Sequence, residues 1–158
     1  MIVYHGSYVE VENPNISYSR DNLDFGKGFY VTPIIEQAKK WAERFKIRKK
    51  NSVILYYEID EKALNDNYII KNFESYSEEW LEYIISCRKG INPYNYDIVI
   101  GGVANDKVFN TVELYFDGLI DKNEAIKRLK FEKPNLQMCF LNQEAIDKCI
   151  KYIKCEVL

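Results

Sequence analysis

Short apolar runs and helical stripes succeed one another along the chain. Ile2-Val3-Tyr4 is apolar and β-prone and runs into His5-Gly6-Ser7, which places His5 at the end of a first strand. Asn13-Pro14-Asn15 breaks the chain, and Phe29-Tyr30-Val31 reads as a second short strand. Thr32-Pro33 has the form of an N-cap followed by proline at the first helical position. Ile34, Ala38, Trp41 and Phe45 then recur at spacings of four, three and four, one face of a helix running to about Arg48. That face is either buried or touches a ligand.

Residues 52–59 are almost continuously apolar, the pattern of a strand central in a sheet. Ser77 caps a second helix whose apolar face is Trp80, Leu81, Ile84 and Ile85, and Gly90 is placed to end it in the left-handed conformation. Residues 97–100 form a strand entering Gly101-Gly102, and Asn105 starts a helix through Phe116 that Gly118 closes. Asp121 and Glu124 have capping-box spacing for a short helix ending near Leu129, and Pro134 keeps it from continuing. Residues 137–141 read as a strand, Asn142 caps a last helix, and residues 155–158 form a closing edge strand.

Strands and helices are mixed without regular βαβ alternation, which predicts an α+β fold rather than a doubly wound sheet. The 158 residues suit one domain, with neither internal repeat nor linker. At 47% hydrophobic and 29% charged the chain is globular, and no apolar run reaches the roughly 18 residues of a membrane span. The N-terminus lacks the basic start and long apolar centre of a signal peptide, so a cytoplasmic location is expected. Cys87, Cys139, Cys149 and Cys155 form no CxxC pair and have one histidine in the whole chain as co-ligand, so neither a zinc site nor a disulfide framework is expected.

With 22 basic and 24 acidic residues, no overall positive field draws the protein to nucleic acid. The densest basic run, Lys46-Ile47-Arg48-Lys49-Lys50, reads as a solvated helix terminus, where cations complement the dipole, in preference to a nucleic-acid patch.

The chemistry concentrates in DFGKGFYVT, residues 24–32. Its glycines flank a lysine without the spacing of a phosphate loop or a dinucleotide fingerprint. They can form a hairpin turn, or they can let the backbone approach something closely just before Tyr30 is presented on a strand.

Taken together, Tyr4-His5-Gly6-Ser7, then FGKGFY ending at Tyr30, then a helix, resemble the ADP-ribosyltransferase superfamily, in the branch marked by a histidine, a tyrosine and usually a glutamate. Within it the chain looks like a bacterial family catalogued as a domain of unknown function. FGKGFY is also similar to a segment of the poly(ADP-ribose) polymerases. The likeness covers most of the chain by element order and is tight in the first fifty residues.

The resemblance implies split mixed and antiparallel sheets with flanking helices, a cleft between them, and NAD as co-substrate without a metal. His5 would bond a ribose hydroxyl, the Gly6 backbone would hold the nicotinamide carboxamide, and Tyr30 would stack on the nicotinamide ring. An interval counted forward from Tyr30 puts a second ring-covering aromatic at Trp41, although core packing explains that residue equally well. Ser7 and Gly28 join the implied cofactor contacts. Arg20 either reaches the pyrophosphate or is an ordinary loop arginine.

Two departures stand out. Ala38 lies where the polymerases carry a hydroxyl for the carboxamide. Gln137, opening the predicted strand QMCF, takes the place of the glutamate, with Glu132 and Glu144 as the neighbouring carboxylates. Glutamine can bond a ribose hydroxyl but brings no charge and cannot act as a base.

The activity implied is mono-ADP-ribosyl transfer to an unidentified protein, nucleic acid or small molecule, with nicotinamide released. The alternatives are an NAD glycohydrolase and a module that binds NAD or ADP-ribose without turnover. RNA 2'-phosphotransferases share the implied fold but use basic residues for the phosphate, which this histidine-poor chain does not offer. The resemblance also implies a toxin or defence setting with a neutralising antitoxin partner.

Overall fold

In a computed structural model of the chain, which describes residues 1–92, 94–104 and 106–158, Ile2–Ser7 (β1), Val53–Ile59 (β3) and Ile150–Val157 (β7) form an antiparallel sheet in the order β1-β3-β7. The run at 53–59 is its middle strand, and its nearly continuous apolar character follows from cover on both faces. A second sheet has the order β2-β6-β5-β4, from Phe29–Val31 (β2), Gln137–Phe140 (β6), Ile98–Gly101 (β5) and Ile70–Asn72 (β4). It is mixed, since β4 and β5 run parallel while the other pairs are antiparallel.

Among the described residues the helices are Ile35–Ile47 (α1), Glu61–Asn67 (α2), Glu78–Arg88 (α3), Asp106–Phe116 (α4), Lys122–Leu129 (α5) and Gln143–Cys149 (α6). The class is therefore α+β with split sheets. None of these helices is long and apolar enough to cross a membrane.

Among the described residues, one backbone pair joins the edges of the two sheets. Tyr4 donates its N–H to the Thr32 carbonyl (2.8 Å) and accepts the Thr32 N–H (3.0 Å). Below this join, Val3, Leu55, Tyr57, Met138, Phe140 and Ile146 form a buried core spanning both sheets. On the far side of the second sheet, α3 buries Trp80, Leu81, Ile84 and Ile85 against Phe25, Val99 and Cys139, and the Trp80 indole N–H donates to the Gly102 carbonyl (2.7 Å). α1 lies on the first sheet through Ala38 and Ala42, and it lies very close. A Cβ on Gly6 would stand 2.5 Å from the Ala38 carbonyl oxygen, so the helix can seat there only over a glycine.

Several expectations need correction. His5 is inside β1 rather than at its end, because His5, Gly6 and Ser7 pair with Leu55, Ile54 and Val53. Thr32 does not cap α1. Its backbone is held extended by Tyr4, its hydroxyl donates to the Leu136 carbonyl (2.7 Å), and the helix opens after Ile34. Only half of the capping box at Asp121 forms. Asp121 accepts the Glu124 N–H (2.8 Å), while the Glu124 carboxylate turns to Arg128. The last strand begins at Ile150, not near 155, since it pairs with β3 along its length. The segments α2 and β4 carry too short a pattern to stand out in the sequence. Ser77, Gly90 (φ +75°) and Asn142 act as expected, and the start expected at Asn105 lies outside the described residues.

Candidate functional site

The join between the sheets stops after one rung, and the cleft opens there. Met1 and Ile59 exchange both backbone bonds, so the odd-numbered residues of β1 address β3. Tyr4 addresses Thr32 on the opposite edge, and by strand alternation so does Gly6. The next rung of an antiparallel ladder would join Gly6 to Tyr30. Instead, the His5 imidazole donates Nδ1–H to the Tyr30 carbonyl oxygen (2.7 Å). The N–H and C=O of Gly6 are left aimed at the gap between the strands.

His5 is held neutral there. A carbonyl oxygen can only accept, so the proton sits on Nδ1 and Nε2 is an acceptor. Burial lowers the pKa of the ring below its ordinary value, and the bond to Tyr30 offsets part of that shift.

Tyr30 is fixed at both ends. Its hydroxyl donates to the Gly26 carbonyl (2.6 Å) and accepts the Phe25 N–H (3.1 Å), and Phe25 stacks on it at 6.3 Å between centroids and 15° between planes. Burial pushes the phenol well above its usual range, with the Cys139 thiol adding to the shift. The hydroxyl is thus committed to the 25–26 turn, and what Tyr30 offers the cleft is its ring. The Gly28 N–H is taken by Ser19 Oγ (3.1 Å), and a Cβ on Gly28 would stand 2.5 Å from Cys139 Sγ. The close approach served by that glycine is to β6.

His5, Gly6, Ser7, Tyr30, Trp41 and Gln137 all line one cleft of about 2020 Å³, with Arg20 and Gly28 also on its wall. Drug-sized sites occupy roughly 300–1,000 Å³, so this cleft exceeds the size of a typical small-molecule site. Trp41 is 40% exposed on the cleft side of α1, and the core-packing alternative is set aside: Ala38 and Ala42 supply the buried face. The Arg44 guanidinium lies 4.6 Å from the centre of the Trp41 ring. Ala38 is buried under Gly6, and its side chain offers no polar atom to the gap. Gln137 is the first residue of β6 and pairs with Gly101. Glu132 and Glu144 do not line the cleft, and Glu144 is engaged by Lys148 and Tyr68. Ser7 Oγ accepts the Val9 N–H (3.2 Å), turning the chain away after β1.

One constellation had no signal in the sequence. Arg88, only 12% exposed at the end of α3, binds Asp24 Oδ1 through Nε (3.0 Å) and Nη2 (2.8 Å) and Glu113 of α4 through Nη1 (2.5 Å). Asp24 Oδ2 accepts the Ala104 N–H (2.8 Å). This network fastens the loop before FGKGFY to two helices. Its members are 64 and 25 residues apart in sequence, beyond any local pattern.

Chemically, the gap presents one backbone donor and acceptor suited to an amide, a neutral imidazole acceptor suited to a hydroxyl, aromatic faces, and a neutral amide side chain opposite. Comparison with family models gives a match over residues 1–152 to the family described as "Protein of unknown function (DUF3990)". Neither a curated protein nor a solved structure matches the chain.

Proposed function

The chain belongs to the DUF3990 family, and we propose that its cleft binds NAD and transfers ADP-ribose to an acceptor with release of nicotinamide. The observation that carries this reading is the interrupted rung. Gly6 turns an N–H and a C=O into a gap walled by His5 and Tyr30, which suits a carboxamide on a flat ring beside a ribose.

In the reaction, the bond between ribose C1′ and the nicotinamide nitrogen breaks and its electron pair leaves with nicotinamide. A bond forms from C1′ to the acceptor atom, whose proton passes to solvent. The residues divide the work. Gly6 holds the carboxamide without help from Ala38, and His5 Nε2 accepts from a ribose hydroxyl. The rings of Tyr30 and Trp41 cover the nicotinamide, and the aromatic faces favour its cationic form. Arg20 serves the pyrophosphate. Gln137 bonds the reacting ribose, and being neutral it leaves the developing positive charge at C1′ without a carboxylate.

That neutrality supports a second reading, a module that holds NAD or ADP-ribose without turnover. The deciding experiment is nicotinamide release from NAD by the purified protein, with and without cell lysate, using His5→Ala as control. Release that needs lysate and is lost in the variant supports transfer. Equal release without lysate means that water is the acceptor and the protein a glycohydrolase. No release, with NAD binding in a titration, leaves the binding module.

A further inference from the structure

The C-terminal end of α1 carries more charge than a helix terminus requires. Arg44, Lys46, Arg48, Lys49 and Lys50 occur with no acidic residue before Glu58. One or two cations complement a helix dipole, whose influence fades within the last turn. Among the described residues, the protein's ion pairs involve none of these five.

Their placement is specific. Past the C-cap Arg48, Lys49 adopts φ +58°, the left-handed position normally given to glycine. The N–H of Lys49 bonds the Lys46 carbonyl (2.9 Å) and that of Lys50 bonds the Phe45 carbonyl (2.9 Å), the paired bonds of a Schellman closure. A lysine kept where glycine is easier is a local cost that needs a reason. The closure brings Lys50 Nζ to 4.4 Å from the centre of the Tyr8 ring, which is 42% exposed and lies 5.3 Å from the Phe45 ring. Tyr8, Phe45, Arg48 and Lys50 all line the cleft. Of the acids beside them, Glu10 is bonded to Tyr152, and Glu12 is exposed.

We infer that this end of α1, together with Tyr8, is a binding surface for a single-stranded nucleic acid laid along the mouth of the cleft. Unpaired cations serve phosphates, and aromatic faces beside them serve unstacked bases. An acidic protein would use the cations but not the rings, and a duplex would keep its bases covered. The net charge of -2 gives no overall positive field, so the attraction has to come from a local cluster of this kind. That the strand is also the acceptor rests on the transferase reading above; the surface itself does not.

The test is fluorescence anisotropy of a labelled 12-nucleotide single strand, as RNA and as DNA, titrated with the protein at stepped salt in the absence of NAD. The double variant Arg48→Glu/Lys50→Glu should bind at least tenfold more weakly, and its slope of log affinity against log salt should fall by about 1.4, at about 0.7 per lost phosphate contact. Lys49→Gly, which relieves the backbone and cannot harm folding on that account, should lower the slope by about 0.7. Tyr8→Ala should weaken binding roughly tenfold with the slope unchanged.

Wild-type protein that ignores the single strand, or binds a duplex of the same length as tightly, overturns the inference. Equal competition by polyglutamate would assign the surface to acidic proteins, and displacement of the strand by saturating NAD would assign it to the dinucleotide. Strand binding without NAD binding sinks the transferase reading and leaves this surface standing; NAD turnover without strand binding does the reverse.

Discussion

His5 and Tyr30 are joined across 2.7 Å by a side chain where the sheet would have used its backbone. The imidazole takes the Tyr30 carbonyl, so the Gly6 amide has no rung to make. The same bond fixes the tautomer that leaves Nε2 facing outward as an acceptor. A single hydrogen bond thereby takes the place of a rung and leaves one imidazole nitrogen as an acceptor.

If Nε2 accepts from a ribose hydroxyl, protonating His5 removes that contact. Burial holds the folded pKa below the ordinary value of about 6.5. Affinity for NAD should be flat at neutral pH and above and should decline only below about 6.5. Stability follows the same sign. The folded state takes up this proton less readily than the unfolded chain, so the contribution of His5 is present above that value and is lost as pH falls through the folded pKa. Calorimetric titration from pH 5 to 8 checks this, and a decline centred above neutrality would contradict it.

Tyr30→Phe separates the ring from the hydroxyl. It leaves the Gly26 carbonyl and the Phe25 N–H without their partner, a loss of about 1–3 kcal/mol, which lowers Tm by several degrees in a chain of this size. NAD affinity should stay within a few-fold of wild type because the ring remains. Thermal unfolding together with an NAD titration reads both, and a collapse of affinity at unchanged Tm would mean that the hydroxyl meets the ligand.

Gln137→Glu places a negative charge at the start of β6. Nicotinamide release should rise roughly tenfold or more, as expected for a carboxylate facing a developing cation. Unchanged turnover in a correctly folded variant would remove Gln137 from the reacting ribose.

Lys49→Gly should stabilise the protein by about 0.5–1 kcal/mol, the left-handed penalty less the extra freedom of glycine in the unfolded chain. Chemical denaturation measures this directly. A loss of stability would show that the Lys49 side chain makes contacts that outweigh its backbone cost.

Much of this could be read from the chain because the determining residues are neighbours. Ser77 with the stripe at Trp80, Leu81, Ile84 and Ile85, or Asn142 before α6, carry their information within a turn or two. His5, Gly6 and Tyr30 are separated by a loop, and their proximity rested on the family likeness rather than on any periodicity. Thr32 has the local form of a cap, but its partners, Tyr4 and Leu136, are distant in sequence, and an extended backbone is settled by what it pairs with. The regular stripe of α1 leaves core packing and ring contact equally open for Trp41. The close seat of α1 on Gly6 through Ala38 and Ala42 decides between them, because it turns that face inward and leaves the tryptophan 40% exposed. The Arg88 network, bridging 64 residues, has no local trace.

The two sheets, written as one series, read β7-β3-β1-β2-β6-β5-β4, with the hydrogen-bonded pair of Tyr4 and Thr32 as the stitch in the middle. An amide placed between Gly6 and Tyr30 would act as a borrowed peptide unit, continuing the seam that the protein's own backbone leaves off. Binding at this point would then be a mechanical event as well as a chemical one, because it would lengthen the one β-ladder stitch that, among the described residues, ties the two sheets together.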